Sequence, residues 1–499
     1  MKRFYLENFG CRATQADGAS LERELLEKGF LRAENPEEAQ VVVLNTCTVT
    51  SSADQDARST IRRIHRQNPG ARILVTGCYA QRAPEEIAEI PGVSVVVGNS
   101  HKHQLAEIAD KSSEFVALGT LAKSKEIFVG DIFAHTDLMA APVFEADTAS
   151  EKTRPNLKVQ DGCNNRCSFC IIPFVRGKSR SLKVEDVLRE TRALVELGYK
   201  EVVLSGINLG RWGRDLSAVG PKPDSEILPD FPPALTCRTT LSKREAQVSA
   251  GRNACSTQLL GSEKPSGSAQ APGSTRLRFV DLLRAMLAQT DIQKIRISSV
   301  EPMDWSDELI HLVATSPRIC KHAHVPLQSG SDRILRQMHR RYRPWHYADR
   351  ILKIRAAMPD AAIGADVMVG FPGESDEQFE ETRAFIESLP FTYLHVFTYS
   401  SRPGTPSAAM PEQVRGDVTR ERNRVLRELA AKKKRRFQER FIGREIEAIT
   451  LTNFENGRTE ALTDNYQKLW IERRQDANRL VRAKIVAIEA EALIGNLRG

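Results

Sequence analysis

From residue 155 onward, short apolar segments alternate with amphipathic helical segments, and this strand–helix unit repeats six times. The predicted strands are 157–160, 201–204, 294–297, 323–326, 363–369 and 393–397. Such alternation is typical of a parallel sheet covered by helices. Six units predict a partial (β/α)6 barrel over residues 153–415. In that fold the functional residues lie on loops at the carboxyl ends of the strands.

The loop after the first of these strands carries three cysteines in the pattern C-x3-C-x2-C, namely Cys163, Cys167 and Cys170. Three thiolates on one short loop can bind three irons of a 4Fe-4S cluster and leave the fourth iron without a protein ligand. An open metal position is typical of catalytic sites. We expect S-adenosylmethionine to bind there, because one electron from such a cluster can cleave it to a 5′-deoxyadenosyl radical.

Structural zinc is the alternative for this cysteine group. Structural zinc sites are four-coordinate and usually combine two Cys-x2-Cys pairs. The sequence has no second pair, and the next cysteine, Cys237, falls in a low-complexity segment. The number of ligands therefore favours the iron–sulfur cluster. A disulfide framework is not expected in a long chain without a secretory signal.

Residues 1–115 show a second strand–helix pattern, with predicted strands at 3–6, 41–44, 72–75 and 93–97. The pattern predicts an N-terminal doubly wound parallel α/β domain. Each of the first three strands is followed by a cysteine: Cys11, Cys47 and Cys78. Because the carboxyl ends of parallel strands meet at one edge of a sheet, we expect these thiols to converge on a second cluster with an open iron. Three unrelated buried cysteines are the alternative.

The remaining segments differ in composition. Residues 116–152 are predicted to be a connector, and residues from about 214 to 275, rich in Pro, Ser and Gly, a flexible insertion in the barrel. Residues 416–440 are predicted to form a basic helix, which could be a solvated face or part of a nucleic-acid surface. Residues 441–499 alternate like short strands and predict a small all-β barrel of the kind that binds RNA.

Composition and charge limit the compartment and the partners. The 499 residues carry a formal net charge of +8, which is compatible with a polyanionic partner. No segment approaches the ~18 uninterrupted apolar residues of a membrane span, and the N-terminus lacks the apolar core of a signal peptide. We therefore expect a cytoplasmic protein that does not associate with membranes.

These motifs together resemble one family, the radical-SAM methylthiotransferases, over nearly the whole chain outside the insertion. Members have an N-terminal domain with three cysteines for an auxiliary 4Fe-4S cluster, a radical-SAM barrel with C-x3-C-x2-C, and a small RNA-binding β-barrel called the TRAM domain. Segments 324–331 and 370–374 are also similar to signatures of this family. The insertion is a departure from the usual pattern of the family.

Within the family, segments 296–302, 399–406 and 170–177 most resemble the branch that acts on N6-threonylcarbamoyladenosine at tRNA position 37. Two other branches act on N6-isopentenyladenosine in tRNA or on an aspartate of a ribosomal protein. Outside the family, the alternative is a non-enzymatic, zinc-bearing RNA-binding module.

The resemblance implies a tRNA-modifying enzyme that methylthiolates C2 of the modified adenine with S-adenosylmethionine and two 4Fe-4S clusters. The radical would remove hydrogen from C2, and the auxiliary cluster would present the sulfur. The expected metal ligands are Cys11, Cys47, Cys78, Cys163, Cys167 and Cys170. The expected partners are the tRNA anticodon loop and an electron donor such as flavodoxin or ferredoxin, and we expect a monomer.

Residues at strand ends of the barrel are candidates to bind S-adenosylmethionine, because the C-terminal face of such barrels carries the site. The candidate contacts are Phe169, Gly206, Glu301, Gln328 and Asp366. A run of arginines near residue 340 offers either phosphate contacts or plain surface charge. Its members are Arg333, Arg336, Arg340, Arg341 and Arg343.

Overall fold

The computed structural model describes residues 2–111, 126–134, 153–216 and 276–497. The predicted insertion from residue 217 onward, with Cys237 and Cys255, lies outside the described residues, as does most of the predicted connector. Within the described ranges, no helix is both long enough and apolar enough to cross a membrane.

The N-terminal part forms a six-stranded parallel sheet in the order β2-β1-β3-β4-β5-β6. Its strands are β1 (Arg3–Asn8), β2 (Leu31–Arg32), β3 (Val41–Thr46), β4 (Arg72–Gly77), β5 (Val93–Gly98) and β6 (Glu126–Phe128). Its helices are α1 (Arg12–Glu27), α2 (Ser51–Gln67), α3 (Cys78–Arg82), α4 (Pro84–Ala88) and α5 (Leu105–Lys111). Strand β6, which falls within the predicted connector, is the edge strand of this sheet.

Apolar side chains cover both faces of the sheet. On one face, Leu21 of α1 packs with Val43 of β3. On the other face, Ile61 of α2 packs with Leu44 of β3. Alternate residues of β3 therefore point to opposite helical layers, as in a buried parallel strand. This confirms the predicted doubly wound α/β architecture.

The strand register brings the cysteine-bearing loops to one edge of this sheet. Asn45 of β3 pairs with Asn8 of β1 on one side and with Thr76 of β4 on the other. These three residues form one row across the sheet, and a cysteine follows each of them within three residues. The loops with Cys11 and Cys47 therefore start side by side, and so does the Cys78 loop.

The central part contains six parallel strands and one short antiparallel strand. The strands are β7 (Asn156–Asp161), β8 (Arg180–Ser181), β9 (Glu201–Gly206), β10 (Lys294–Ile297), β11 (His322–His324), β12 (Ala362–Val369) and β13 (Tyr393–Thr398). They form two sheets, β10-β9-β7-β8 and β11-β12-β13. Parallel pairing of Ile295 with Ile319 and of Ser299 with His324 connects the two sheets. The partial barrel is thus confirmed, with β7 and β13 as the first and last parallel strands.

Helices follow the strands of the partial barrel. They are α6 (Ile172–Arg176), α7 (Val184–Glu196), α8 (Phe279–Gln289), α9 (Asp307–Thr315), α10 (Asp332–Gln337), α11 (Pro344–Ala357) and α12 (Asp376–Ser388). One continuous apolar core joins the strands to these helices, with members such as Val202, Leu283 and Ile363 fully buried. The short strand β11 starts one residue earlier than the sequence pattern predicts and stops before Val325.

The C-terminal part is a long helix followed by a closed five-stranded barrel in the order β14-β15-β16-β18-β17. The elements are α13 (Gly416–Glu439), β14 (Glu445–Glu455), β15 (Arg458–Thr463), β16 (Lys468–Glu472), β17 (Leu480–Glu489) and β18 (Ala492–Leu497). The predicted basic helix is only partly a solvated face. Its Arg422 is buried and pairs with Glu374 at 2.7 Å.

The C-terminal barrel docks against the amino-terminal ends of β10 and β11. Lys294, the first residue of β10, pairs with Glu447 at 2.9 Å and with Asp464 at 3.1 Å. Buried Arg296 donates to the backbone carbonyls of Thr463 and Asp464 at 3.2 and 3.1 Å. Charged side chains of the central barrel thus pair with the carboxylate and the backbone carbonyls of the turn between β15 and β16.

The N-terminal part contacts both β7 and the loop after β13. On the β7 side, the Asn156 side chain donates to the backbone carbonyl of Arg12 at 2.8 Å. On the other side, Arg402 pairs with Asp54 of α2 at 2.6 Å, and both side chains are buried. The cysteine-bearing edge of the N-terminal sheet therefore closes the gap between the first and last strands of the partial barrel.

The pair between Arg296 and Glu201 generates a stability prediction. Both side chains are buried, and the pair is bidentate at 2.7 and 3.1 Å. Among the described residues, Arg296→Met leaves Glu201 with one ion-pair partner, Arg154 at 3.7 Å, and with the weak thiol donor Cys320 at 3.8 Å. We expect a loss of about 3–5 kcal/mol in the free energy of unfolding, since a buried charge loses its partner. Chemical denaturation of the apo-protein measures this loss.

The double variant Arg296→Met/Glu201→Leu is the matched control. It removes both charges, so most of the lost stability should return. If the single variant unfolds within about 1 kcal/mol of the wild type, as for an exposed pair, the pair does not have this role.

Candidate metal and substrate site

The loop between β7 and α6 holds Cys163, Cys167 and Cys170, all half-buried. Gly162 starts this loop with a φ of +69°, and a Cβ there would lie 2.0 Å from the backbone oxygen of Lys178. Only glycine fits at this position, because a side chain would be strained and would clash. The backbone N–H of Cys163 then donates to Gly177 at 3.1 Å, which closes the loop.

Hydrogen-bond donors surround two of these sulfurs. The backbone N–H of Asn165 lies 3.3 Å from Cys163 Sγ, and the Asn208 amide lies 3.7 Å from it. The Arg340 guanidinium lies 3.3 Å from Cys167 Sγ. Burial raises the pKa of the Cys170 thiol to about 12. Donors aimed at sulfur stabilise thiolate ligands, so the loop has the chemistry of a metal-binding site.

The second set lies at the edge of the N-terminal sheet. A thiol–thiol hydrogen bond to Cys47 holds the pKa of Cys11 well below its usual range, and the same bond raises the pKa of Cys47. Gly10 has a φ of +94°, and a Cβ there would lie 2.7 Å from Cys47 Sγ. Gly77, with a φ of +100°, turns the chain so that Cys78 begins α3.

Within the described residues, no three His, Cys, Asp or Glu side chains converge as ligands of a single metal ion do. The ligands of a cluster need not converge on one point, since each thiolate binds a different iron. Two sets of three cysteines, each on glycine-bearing loops with donors nearby, fit that requirement. The residues present therefore fit iron–sulfur clusters better than a mononuclear zinc site.

One cysteine of the N-terminal set and two cysteines of the other set meet along an apolar seam. Cys78 packs with Ile172 and Val175 of α6, and Cys163 and Cys170 pack against the same cluster. Asn99 reinforces this seam, because its amide donates to the Val175 carbonyl at 2.7 Å and lies 3.6 Å from Cys78 Sγ. The fold therefore brings together cysteines from distant parts of the chain, as the sequence predicts.

A buried network of charged side chains holds together the elements on either side of the seam. Asp17 of α1 pairs with Lys102 and Arg176 at 3.0 Å each, and with Lys158 at a short distance. Asp161 pairs with Lys158 and Arg176, each at 3.0 Å. All five side chains are at most 8% exposed. The network joins the N-terminal sheet to β7 and α6, the two elements that flank the Cys163 loop.

Two of the predicted contacts to S-adenosylmethionine, Glu301 and Gln328, lie on strand-end loops of the barrel. Glu301 pairs with Arg340 and lines a cavity with Cys167. Gln328 adopts a φ of +67°, and its backbone N–H donates to the Asp366 carbonyl at 2.8 Å. These residues lie on strand-end loops around one face of the barrel, as expected for a cofactor site.

Phe169 and Gly206 have other neighbours. Phe169 packs edge-on against Phe371, with ring centroids 6.5 Å apart, in a separate apolar cluster. Gly206 ends β9, and a Cβ there would lie 2.9 Å from Gln160 Oε1. The close approach of Gln160 therefore favours a residue without a Cβ at this strand end.

Asp366 points into the barrel beside an unforeseen group of histidines. His324 Nε2 lies 3.1 Å from the Asp366 carboxylate. Burial alone would raise the pKa of Asp366, but the hydrogen bond from His324 lowers it. The Tyr393 hydroxyl lies 2.7 Å from His322 and 3.0 Å from His324. The sequence pattern did not identify this cluster, whose members alternate along β11 and β13.

Some buried polar atoms in this region have no hydrogen-bond partner among the described residues. They are Gln328 Oε1, Asn208 Oδ1, Ser205 Oγ and Ser298 Oγ. Buried polar atoms are normally paired, so these orphaned atoms indicate where a polar ligand binds. All four belong to strand ends or the loops that follow them.

One prediction for the arginine run is wrong. Arg340 is buried, because it packs on the Tyr342 ring and bonds Glu301 and Cys167 instead of facing solvent. It is therefore a candidate to orient the cluster loop and not a phosphate contact. A basic run hides such a residue, since nothing in the sequence separates Arg340 from its exposed neighbour Arg341.

Comparisons with known proteins agree with this architecture. Residues 3–98 match an uncharacterised protein family, UPF0004, and residues 157–209 and 273–386 match the radical SAM superfamily. The threonylcarbamoyladenosine tRNA methylthiotransferase MtaB of Bacillus subtilis is 34% identical over 96% of this chain and 92% of its own length. The MtaB of Aquifex aeolicus is 33% identical, with 96% and 99% covered.

A tRNA-2-methylthio-N(6)-dimethylallyladenosine synthase of Pelotomaculum thermopropionicum is 31% identical over 87% of this chain and 83% of its own length. Among solved structures, the radical S-adenosylmethionine methyltransferase TsrM of Kitasatospora setae matches with a TM-score of 0.52 at 14% identity, covering 82% of this chain and 75% of that chain. This likeness shows the fold alone.

The site and fold define a radical-SAM enzyme that uses S-adenosylmethionine and iron–sulfur chemistry. The chain belongs to the radical-SAM methylthiotransferase family.

The buried charge network generates a pH prediction. Burial alone would raise the pKa of Asp17, but Lys102, Lys158 and Arg176 together hold it well below its usual value. Because the folded-state pKa is depressed, the carboxylate stabilises the fold above the unfolded pKa of about 3.9, and this contribution is lost as the pH falls below it. We expect Asp17→Asn to cost about 3–5 kcal/mol near neutral pH, and the difference from the wild type to narrow below about pH 4.

Denaturation of the apo-protein across pH measures this difference. Asp186→Asn is the control, because Asp186 pairs with Arg189 on an exposed face of α7 and should cost less than about 1 kcal/mol. Equal small losses for both variants would contradict the assigned role of the network.

Proposed function

We propose that this protein methylthiolates C2 of N6-threonylcarbamoyladenosine at position 37 of tRNA, using S-adenosylmethionine and two 4Fe-4S clusters. The observation that carries the proposal is the shared apolar seam, where Cys78 of one cysteine set packs in the cluster that Cys163 and Cys170 of the other set contact. The relatives at 33–34% identity, which are named for threonylcarbamoyladenosine tRNA, support the choice of base.

In this proposal each part of the chain has one role. Residues 1–115 bind the auxiliary cluster through Cys11, Cys47 and Cys78. Residues 153–415 bind the S-adenosylmethionine cluster through Cys163, Cys167 and Cys170. Residues 441–499, together with the basic helix 416–440, bind tRNA. The closed β-barrel supports this role, since small β-barrels are common RNA-binding modules.

When bound to Cys163, Cys167 and Cys170, the iron–sulfur cluster supplies the electron that cleaves S-adenosylmethionine. The chain's own residues position the reactants. Arg340 and Asn208 donate to the cluster-binding sulfurs, and Glu301 and Gln328 offer polar groups to the cofactor. Asn99 and the Asp17 network hold the second set against α6.

A base in the anticodon loop reaches such an enclosed site because it is not locked in a duplex and can be splayed out. The net charge of +8 favours a polyanionic substrate. We further propose a monomeric, cytoplasmic enzyme that receives electrons from a donor such as flavodoxin or ferredoxin.

Nucleoside analysis of tRNA tests the proposed substrate. We expect tRNA from cells that lack this protein to lose the methylthio group on threonylcarbamoyladenosine, and complementation to restore it. Mass spectrometry of digested tRNA and of ribosomal proteins measures the change. Loss of the group from isopentenyladenosine, or from a ribosomal-protein aspartate, would assign the enzyme to another branch of the family.

Cysteine variants test the two-cluster arrangement. We expect the anaerobically reconstituted wild type to hold about eight irons, and Cys167→Ala and Cys47→Ala to hold about four each. Cys167→Ala should abolish formation of 5′-deoxyadenosine, because S-adenosylmethionine loses its cluster. Cys47→Ala should retain cleavage and lose sulfur insertion. Iron analysis and chromatography of both products measure these outcomes.

Cys320→Ala is the matched control, since Cys320 is buried on the far side of β10 beside Glu201 and belongs to neither set. Its iron content should equal that of the wild type. A wild-type protein with about four irons, or a Cys47→Ala variant that still inserts sulfur, would refute the two-cluster arrangement.

A further inference from the structure

Arg12 immediately follows the cluster ligand Cys11 and is the first residue of α1. Its guanidinium Nη2 lies 3.4 Å from the hydroxyl of Tyr466, in the turn after β15. Its backbone carbonyl is held by Asn156 at 2.8 Å. The side chain therefore lies where all three parts of the chain meet.

The guanidinium of Arg12 is half-buried and has no carboxylate partner among the described residues. Its cationic neighbours differ in this respect. Arg296 pairs with Glu201 at 2.7 Å, and Arg176 pairs with Asp161 at 3.0 Å. A guanidinium carries five N–H donors, and here the Tyr466 hydroxyl accounts for one. An incompletely paired cation in a half-buried place favours an anionic ligand.

Aromatic rings form the wall next to Arg12. The Tyr466 ring lies 4.3 Å from His322 and 5.6 Å from Tyr393, measured between centroids. Tyr393 in turn lies 5.3 Å from the exposed His395. The Tyr393 hydroxyl can donate one hydrogen bond and accept another, and its contacts with His322 and His324 fix these rings. Planar rings beside a guanidinium suit a flat, conjugated group that ends in an anion.

The exposed ring of His395 adjoins this wall and interacts electrostatically with Arg12. Partial enclosure of the ring lowers the pKa of His395, the neighbouring His324 and Arg12 lower it further, and the Asp366 carboxylate opposes this shift. The charge of Arg12 thus reaches the exposed ring at the start of β13. His395 is neutral near pH 7 and can donate or accept a hydrogen bond without adding a competing charge.

We propose that Arg12 binds the carboxylate of the threonylcarbamoyl group and thereby selects this substrate over adenosines with an uncharged N6 substituent. The inference rests on the proposed function and adds a specificity-determining residue to it. The carbamoyl group is flat and would lie along the tyrosine wall, while the carboxylate receives the donors of Arg12. An isopentenyl group has no anion to offer, so it gains nothing from this guanidinium.

The test uses reconstituted holoenzyme and two synthetic anticodon stem-loops. One carries the threonylcarbamoyl group with its free carboxylate, and the other carries the same group as the carboxamide. We expect the wild type to bind the carboxylate form at least about tenfold more tightly, the size of one charge-assisted hydrogen bond. Fluorescence anisotropy under anaerobic conditions gives both dissociation constants.

Three variants separate recognition from structure. Arg12→Gln should bring the ratio of the two dissociation constants close to one by weakening only the carboxylate form. Arg12→Lys should keep part of the ratio, because lysine retains the charge but not the planar fork. Arg192→Gln, on the exposed face of α7, should keep the wild-type ratio. Iron content of each variant shows that the Cys11 site next door is intact.

The outcomes distinguish the two proposals. A wild type that fails to methylthiolate the carboxylate stem-loop, by mass spectrometry, refutes the proposed function. A wild type that modifies it but binds both stem-loops equally refutes the role of Arg12. An iron-replete Arg12→Gln that keeps the wild-type ratio refutes it too. In steady-state kinetics Arg12→Gln should raise KM for the carboxylate stem-loop more than it lowers kcat.

Discussion

The architecture depends on one buried set of charges between the N-terminal sheet and the central barrel. Asp17 reaches from α1 to Lys158 on β7 and to Arg176 on α6, and Lys102 completes the set from the N-terminal side. Such a network is costly to bury and strongly directional. It therefore permits one relative placement of the two parts, and sliding either part would strand a charge without a partner. The seam with both cysteine sets inherits its geometry from that placement.

The seam shows how one chain can hold two sets of cysteines close together without merging them. Each set of thiols is built by a separate rule: a glycine-initiated loop after β7 for Cys163, and aligned strand ends for Cys11 and Cys47. Their meeting point is apolar, with Ile172 and Val175 excluding water. An apolar boundary strengthens the electrostatic interactions across it. Assembly of each site and contact between them are thus controlled by different residues.

The sequence predicts the placement of Cys11, Cys47 and Cys78 at one sheet edge, because strand order converts spacing along the chain into position at that edge. The same rule placed the candidate residues Glu301 and Gln328 on the functional face of the barrel. This rule does not predict pairings between side chains of distant segments. Asp17 and Lys158 are 141 residues apart, and their local sequences show no sign of burial. The prediction that Arg340 contacts phosphate or lies on the surface is wrong for a related reason. A basic run shows charge but not which of its arginines points inward.

The docking of the C-terminal barrel has a consequence for how this enzyme could be divided. Its turn residue Tyr466 stacks on His322 of the central barrel and reaches the guanidinium of Arg12. The C-terminal barrel therefore supplies part of the aromatic wall beside Arg12. Truncation before residue 441 would remove Tyr466 from the wall beside Arg12. A C-terminal barrel transplanted from a relative would place its own residues there. The surroundings of Arg12 are built by all three parts of the chain, and none of these parts can be removed without changing them.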